Sequence, residues 1–129
     1  MASALKRLAA PQFLNVDLDI YSKRDLQPIA KRLGRKVFTL YIGRDRGRYS
    51  AHFELAGETR APDSTIRALC RVIESLPTEE RALWDSATVK SFSIGIQAGT
   101  KQGPTDFVIR PATVKAVSEL GAQIVLTLY

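Results

Sequence analysis

Residues 14–20, Leu14-Asn-Val-Asp-Leu-Asp-Ile20, alternate strictly between apolar and polar side chains. Successive side chains of a β-strand point to opposite faces of the sheet, so this period of two predicts a half-buried strand. The apolar set, which we expect to face a core, is Leu14, Val16, Leu18 and Ile20. The polar set, which we expect to face away from it, is Asn15, Asp17 and Asp19. The stretch predicts a sheet with one buried and one open face.

Three further segments, 36–43, 48–55 and 89–97, show the same alternation. The first two are separated by Arg44-Asp-Arg-Gly47, whose composition is typical of a hairpin turn. The final run, 123–129, is apolar at nearly every position, which predicts a more enclosed strand.

The register of the predicted hairpin follows from parity. We expect Phe38, Leu40 and Ile42 to share the apolar face with Phe53. In an antiparallel hairpin the numbers of two paired residues have a constant sum, and this sum must be odd for these four side chains to lie on one face. In that register His52 lies on the open face.

Helical patterns separate the predicted strands. The first helix is expected to start near Ser22, with Asp25 in a variant of the capping box, and to end at Gly34. The others are predicted from about residue 63 to 76, from 78 through 84 as a short extra helix, and from 111 to 121.

The resulting order is β-α-β-β-α-β followed by α-β. It predicts an α+β protein with a ferredoxin-like core, an additional C-terminal α-β, and helices mainly on one face of the sheet. We expect residues 1–12 to form a flexible N-terminal segment and residues 13–129 to form a single α+β domain.

Composition limits the class of protein. The 129-residue chain has one cysteine, Cys70, which excludes an internal disulfide framework and favours a reducing compartment. No apolar run approaches the ~20 residues that span a bilayer, and residues 1–10 lack the apolar core of a signal peptide. We therefore predict a cytoplasmic protein with no membrane association.

The net charge of +6 is concentrated in the first third of the chain, because residues 1–48 hold eleven Lys or Arg against four Asp. Such clustering attracts anionic partners, including the phosphates of nucleic acid, although a solvated positive face is the common alternative. The candidate basic patch comprises Lys31, Arg32, Arg35, Lys36, Arg44 and Arg46.

One stretch inside this basic region, Arg46-Gly-Arg-Tyr-Ser-Ala-His-Phe53, resembles the sheet motif with which RNA-recognition domains stack bases. The stacking positions of that motif are aromatic, but here they are Arg48 and Ser50. The sequence therefore argues against base stacking and leaves only electrostatic, non-specific nucleic-acid binding.

The predicted open face carries a second candidate site. A ferredoxin-like sheet places the first strand beside the third, which would bring Asp17 and Asp19 close to Arg48 and His52. This arrangement is compatible with acid-base chemistry or metal binding, and the alternative is cross-strand pairing of the aspartates with Arg48. One histidine and two aspartates match no metal or cofactor signature, so no cofactor is predicted. Cys70 is expected in the core, away from His52.

A resemblance to a known family rests on the two ends of the domain. The chain opens as β-α-β, and after a polar Gly-rich loop it closes with the helix end Glu119-Leu-Gly-Ala122 and a last strand ending in Tyr129. These features resemble an uncharacterised family of small bacterial α+β proteins, over most of residues 13–129. The resemblance implies a fold and a bacterial source but no catalytic residue. Small families of this kind include immunity proteins that neutralise toxins.

The sequence thus favours a non-catalytic binding or interaction protein, with a protein partner, that uses the polar sheet face or the basic hairpin. The alternative is a small metal-dependent or acid-base enzyme centred on Asp17, Asp19 and His52. Non-specific nucleic-acid binding is the third hypothesis. The expected open edge strands are compatible with a homodimer.

Overall fold

The computed structural model describes residues 9–129. It is a mixed α+β structure with a five-stranded sheet and four α-helices. The strands are β1 (Gln12–Ser22), β2 (Val37–Asp45), β3 (Arg48–Leu55), β4 (Val89–Gln97) and β5 (Gln123–Leu128). The α-helices are α1 (Gln27–Leu33), α2 (Pro62–Glu74), α3 (Thr78–Ser86) and α4 (Pro111–Glu119), and a single 3₁₀ turn, Gly34–Lys36, leads into β2.

The strands are ordered β2-β3-β1-β4-β5, so β1 lies at the centre of the sheet. It pairs antiparallel with both β3 and β4, and β2 pairs antiparallel with β3. The last strand, β5, pairs parallel with β4, to which it is connected through α4. The two edges of the sheet are therefore β2 and β5.

The core lies between one face of the sheet and the helices. Val16, Leu18 and Ile20 of the central strand are fully buried, as their alternation predicts. Leu14, the fourth residue of that predicted set, is instead 46% exposed, because the pairing of β1 with β4 is interrupted by a bulge between Phe13 and Asn15. Among the helices, α2 contributes the largest number of buried apolar side chains opposite them, and its inward stripe includes Ile66 and Cys70. Cys70 is a core residue, as expected, and burial raises the pKa of its thiol to about 11.

The predicted register of β2 against β3 is correct from Tyr41 to Asp45 and wrong from Val37 to Thr39. Ile42 lies opposite Ala51, which keeps the expected odd sum, but Thr39 lies opposite Phe53 because one extra residue, Leu40, is inserted in β2. With the register of Tyr41 to Asp45 as expected, the bulge places the side chains before it on the face opposite to the one that strict alternation predicts. Phe38 consequently lies opposite Glu54 and is 57% exposed instead of facing the core.

The expectation that β5 is an enclosed strand is also wrong. Every residue of Gln123–Leu128 is exposed, because β5 is an edge strand whose helix-side face is left uncovered. Leu126 and Leu128 remain 61% and 65% exposed.

The first helix begins later than predicted. Ser22 is the buried last residue of β1, and its hydroxyl accepts a hydrogen bond from the backbone N–H of Arg24. Asp25 accepts a hydrogen bond from the N–H of Gln27, where α1 begins. The other helices lie within about two residues of the predicted bounds.

The predicted flexible segment falls largely on residues 1–8, outside the described residues. From Ala9 onward the chain is held beside the loop that follows β4, since the Ala9 carbonyl accepts hydrogen bonds from the N–H groups of Thr100 and Lys101. A Cβ at Gly99 would collide with this segment. No helix within residues 9–129 is both long and apolar enough to cross a membrane.

Candidate functional site

The sheet face away from the core carries the predicted polar residues. Asp17 of β1 lies opposite Glu54 of β3, and Asp19 lies opposite His52. These side chains are only half-buried, because the helices pack against the other face.

His52 and Asp19 form a short side-chain contact on this face. His52 Nδ1 lies 2.6 Å from Asp19 Oδ1, and the hydroxyl of Ser93 in β4 donates to Asp19 Oδ2 at 2.7 Å. An ionised carboxylate only accepts hydrogen bonds, so the contact places a proton on Nδ1 and leaves Nε2 as the outward nitrogen. Asp19 thus links β3 and β4 through the central strand.

Two tyrosines flank the imidazole of His52. The ring of Tyr21 meets it edge-on with centroids 5.7 Å apart, and the ring of Tyr41 lies at 6.0 Å. Such packing restricts the rotation of the imidazole and supports the hydrogen bond to Asp19.

Asp17 has a different environment from Asp19. Burial raises the pKa of the Asp17 carboxyl, and the nearby carboxylates of Asp19 and Glu54 raise it further, although His52 acts in the opposite direction. Asp17 and Glu54 line a shallow pocket of about 250 Å³ that Tyr129 borders at the β5 side.

Arg48 does not pair with either aspartate. Its guanidinium stacks on the Tyr21 ring at 4.1 Å from the centroid, a favourable cation–π geometry. The cross-strand pairing of aspartate with Arg48, the alternative considered from the sequence, is replaced by the pairing of Asp19 with His52.

The carboxylates and the imidazole on this face do not form a metal-ligand set. Within residues 9–129, no group of three or more His, Cys, Asp or Glu side chains has a geometry that could hold a metal ion. The arrangement can instead hold a proton on Nδ1 and accept or release one at Nε2.

The six residues of the candidate basic patch fall into two separate groups. Lys31, Arg32, Arg35 and Lys36 belong to α1 and the 3₁₀ turn before β2, whereas Arg44 and Arg46 lie at the far end of β2. Lys36 and Arg44 are eight positions apart along the chain, which in an extended strand is a span of roughly 26 Å. Arg32 is also engaged in an ion pair with Glu80 at 3.0 Å. The sequence clusters do not merge into one surface.

Sequence reasoning missed an apolar surface at the other edge of the sheet. A groove of about 640 Å³ runs between β5 and the segment before α4. We call its five exposed apolar side chains the β5 surface: Phe107, Val108, Ile124, Leu126 and Leu128. The signal was present, because residues 123–129 include no charge and no proline. An apolar run without periodicity predicts a strand that is covered on both faces, but it does not show whether the same chain or another molecule covers it.

The two edges of the sheet differ. The β2 edge carries the charged residues Arg44 and Asp45 and is interrupted by the bulge at Leu40, which are devices that prevent edge-to-edge pairing. The β5 edge has neither a charged residue nor a bulge.

Comparisons with protein-family models, with curated proteins and with solved structures give no match for this chain.

Proposed function

We propose that the protein is a non-catalytic interaction domain that binds an extended polypeptide segment along β5. The observation that supports this proposal is the β5 surface, where an unprotected edge strand runs beside an apolar groove. Addition of a strand to such an edge combines main-chain hydrogen bonds with pockets for alternate side chains.

The size of the β5 surface favours strand addition over a purely apolar contact. Its five side chains, 37–65% exposed, amount to on the order of 400 Å² of accessible surface, within the range that marks interaction sites. Burying that area contributes about 10 kcal/mol, which is comparable to the ~4–15 kcal/mol that association costs. Backbone hydrogen bonds to β5 are therefore needed for stable binding.

The bound segment is expected to be extended, with apolar residues at alternate positions. Ile124, Leu126 and Leu128 lie on the helix side of the sheet, so a neighbouring strand places every second side chain above the groove. β5 contains no charged residue that would oppose such a strand.

An array of synthetic heptapeptides with apolar residues at alternate positions tests the proposal. We expect the wild-type protein to retain a subset of peptides, and Leu126→Lys to weaken their binding at least about tenfold by placing a charge in the apolar strip. Leu40→Lys, at an exposed leucine of the other edge strand, is the matched control and should bind as the wild type does. β5 would be rejected as the binding strand if Leu126→Lys and Leu40→Lys weakened peptide binding equally, or if neither substitution changed it.

The hydrogen bond between His52 and Asp19 favours a second candidate function, acid-base catalysis at Nε2. A carboxylate on Nδ1 orients the ring and fixes its tautomer, as in hydrolytic enzymes. Hydrolysis of activated esters and phosphoesters, compared between the wild type and His52→Ala, tests this function. Turnover that His52→Ala leaves unchanged would exclude it.

We also propose the finer classification of the fold and source. The order of the first four strands, β2-β3-β1-β4 with antiparallel pairing, supports a ferredoxin-like core extended by α4 and β5. Membership of the uncharacterised bacterial family, a cytoplasmic location and an immunity-like role extend the same proposal, and a binding function is compatible with all three.

A further inference from the structure

We propose that the segment bound along β5 is β5 of a second copy of this chain, so that two molecules form a two-fold dimer with one continuous sheet. The inference rests on the proposed function and names the partner of the same surface. Four observations support it: the direction of the free backbone groups, the match of side chains about a two-fold axis, the charge distribution and the available area.

The free backbone groups of β5 form a regular set. The N–H of Tyr129 donates to the Ile96 carbonyl at 2.8 Å, and the Tyr129 carbonyl accepts from the N–H of Ala98. Backbone groups of successive strand residues point to opposite edges, so those of Ile124, Leu126 and Leu128 point away from β4. This edge is open to an added strand.

A two-fold axis at Leu126 uses all of these groups. In an antiparallel pairing of two β5 strands, Leu126 lies opposite its own copy, and Ile124 lies opposite Leu128 of the other molecule. Each of these positions is then a hydrogen-bonded pair. The same three residues supply the apolar side chains of the β5 surface, so the register joins the two grooves into one apolar strip across the axis.

The distribution of charge permits two copies to meet at this edge. The net charge of +6 comes from the first 48 residues, whereas the remaining 81 residues hold eight Lys or Arg against nine Asp or Glu. Residues 123–129 carry no charge. Like-charge repulsion, which opposes contact through the basic half, is therefore weak at β5.

The area at β5 suits a pair of identical strands. The β5 surface supplies on the order of 400 Å² of the ~800 Å² that each partner of a stable interface buries. The strand backbone and the exposed side chains on its other face, such as Val125 and Tyr129, extend the contact.

Sedimentation velocity over a hundredfold range of protein concentration measures the association. We expect the wild type to dimerise and Leu126→Lys to raise the dissociation constant at least about tenfold, because two lysines would face each other across the axis. Leu40→Lys should dimerise as the wild type does. Leu126 is 61% exposed, so the substitution should leave the fold intact, which circular dichroism checks.

A disulfide at the axis tests the register. Hydrogen-bonded antiparallel residues have Cα atoms about 5.5 Å apart, a separation that a disulfide spans. Oxidised Leu126→Cys should therefore form a covalent dimer, whereas Leu40→Cys should not. Native Cys70 is buried and should not interfere.

The outcomes separate the two proposals. A wild type that stays monomeric over the range, or a dimer that Leu126→Lys leaves unchanged, overturns the inference. If the peptide array still shows retention that depends on Leu126, the proposed function stands without it. If neither assay depends on Leu126, both proposals are wrong.

Discussion

Asp19 accepts hydrogen bonds from two neighbouring strands at once, from His52 Nδ1 of β3 at 2.6 Å and from Ser93 of β4 at 2.7 Å. The three strands at the centre of the sheet are thereby joined by side chains as well as by the backbone. The same carboxylate holds the imidazole of His52 in one orientation, so the contact is central both to the stability of the open face and to any chemistry there.

We predict that Asp19→Ala lowers the free energy of unfolding by about 1–3 kcal/mol, because a carboxylate that accepts two hydrogen bonds is lost. His52→Ala should lower the free energy of unfolding by less, because Ser93 still donates its hydrogen bond to Asp19. Urea unfolding of both single variants and of the double variant should give a coupling energy of about 1 kcal/mol. The exposed ion pair of Glu58 and Arg60, treated in the same way, serves as control and should couple by less than about 0.5 kcal/mol. Coupling of similar size in the two pairs would contradict the prediction.

The proximity of Asp19 and His52 could be predicted from the sequence, because the alternation of β1 and β3 sets their faces and the order of elements places these strands side by side. The contact of Asp19 with Ser93 could not, because it depends on the register of β4 against β1, which the sequence does not specify and which a bulge interrupts. The bulge at Leu40 is a local irregularity that binary patterning does not encode, so Phe38 was assigned to the wrong face.

The error at β5 has a different origin. An uncharged apolar strand has the same pattern whether helices of its own chain cover it or another molecule does. Periodicity therefore predicted the strand correctly and assigned its burial wrongly, and the exposed residues Leu126 and Leu128 are the consequence.

Asp17→Asn should stabilise the protein at neutral pH. The pKa of Asp17 is raised above its ordinary value of 3.8, by burial first and by neighbouring carboxylates second, so ionisation of this group opposes folding. The destabilisation caused by ionised Asp17 is absent when the pH is below the pKa of this residue in the unfolded chain. It is complete once the pH exceeds the pKa of Asp17 in the folded protein. Asp17→Asn should therefore unfold at a higher urea concentration than the wild type at pH 7 and at the same concentration near pH 3. An advantage that persists at the acidic end would point to a cause other than ionisation.

Asp63 should show the opposite dependence on pH. Its carboxylate accepts a hydrogen bond from the backbone N–H of Arg110 at 2.8 Å, which lowers its pKa and ties the start of α2 to the segment before α4. A lowered folded pKa means that the stabilisation is present above the unfolded pKa and is lost as the pH falls through the folded one. We expect Asp63→Ala to cost about 1 kcal/mol at pH 7, the lower end for charged hydrogen bonds because the site is partly exposed.

Measurement of unfolding from pH 7 to pH 2 checks this expectation. The difference between the wild type and Asp63→Ala should shrink toward the acidic end, whereas Glu58→Gln, at an exposed ion pair, should follow the wild type throughout. A difference that does not change with pH would mean that the hydrogen bond to Arg110 does not depend on the charge of Asp63.

Trp84, the single tryptophan, should report on the packing of α3 against the end of α4. It is fully buried, and its indole N–H donates to the Leu120 carbonyl at 3.0 Å. Trp84→Phe removes this hydrogen bond inside the core and should cost about 2–3 kcal/mol, measured by circular dichroism. The wild-type fluorescence should be blue-shifted and should move to the red in the same urea range in which the helices unfold. Red-shifted emission from the native protein would place Trp84 in water and contradict the packing.

Gly121 should tolerate a side chain less well than other glycines with positive φ. It follows α4 at φ +68°, and the Ala122 N–H donates to the Val117 carbonyl, the pattern of a Schellman cap. A Cβ at Gly121 would lie 3.3 Å from Lys90 Nζ, and Lys90 is confined because it packs over the Trp84 ring. Gly121→Ala thus combines backbone strain with a crowded contact, and we expect a cost of about 1–2 kcal/mol.

Gly103 provides the matched control, because its φ is +89° and a Cβ there would meet open space. Gly103→Ala should therefore cost about 1 kcal/mol, the value for backbone strain alone. The difference between the two variants isolates the Lys90 contact, and it should disappear when both are made in a Lys90→Ala background, where the amine is absent. If Gly121→Ala costs no more than Gly103→Ala while Lys90 is present, the amine moves aside freely and does not restrict the helix end.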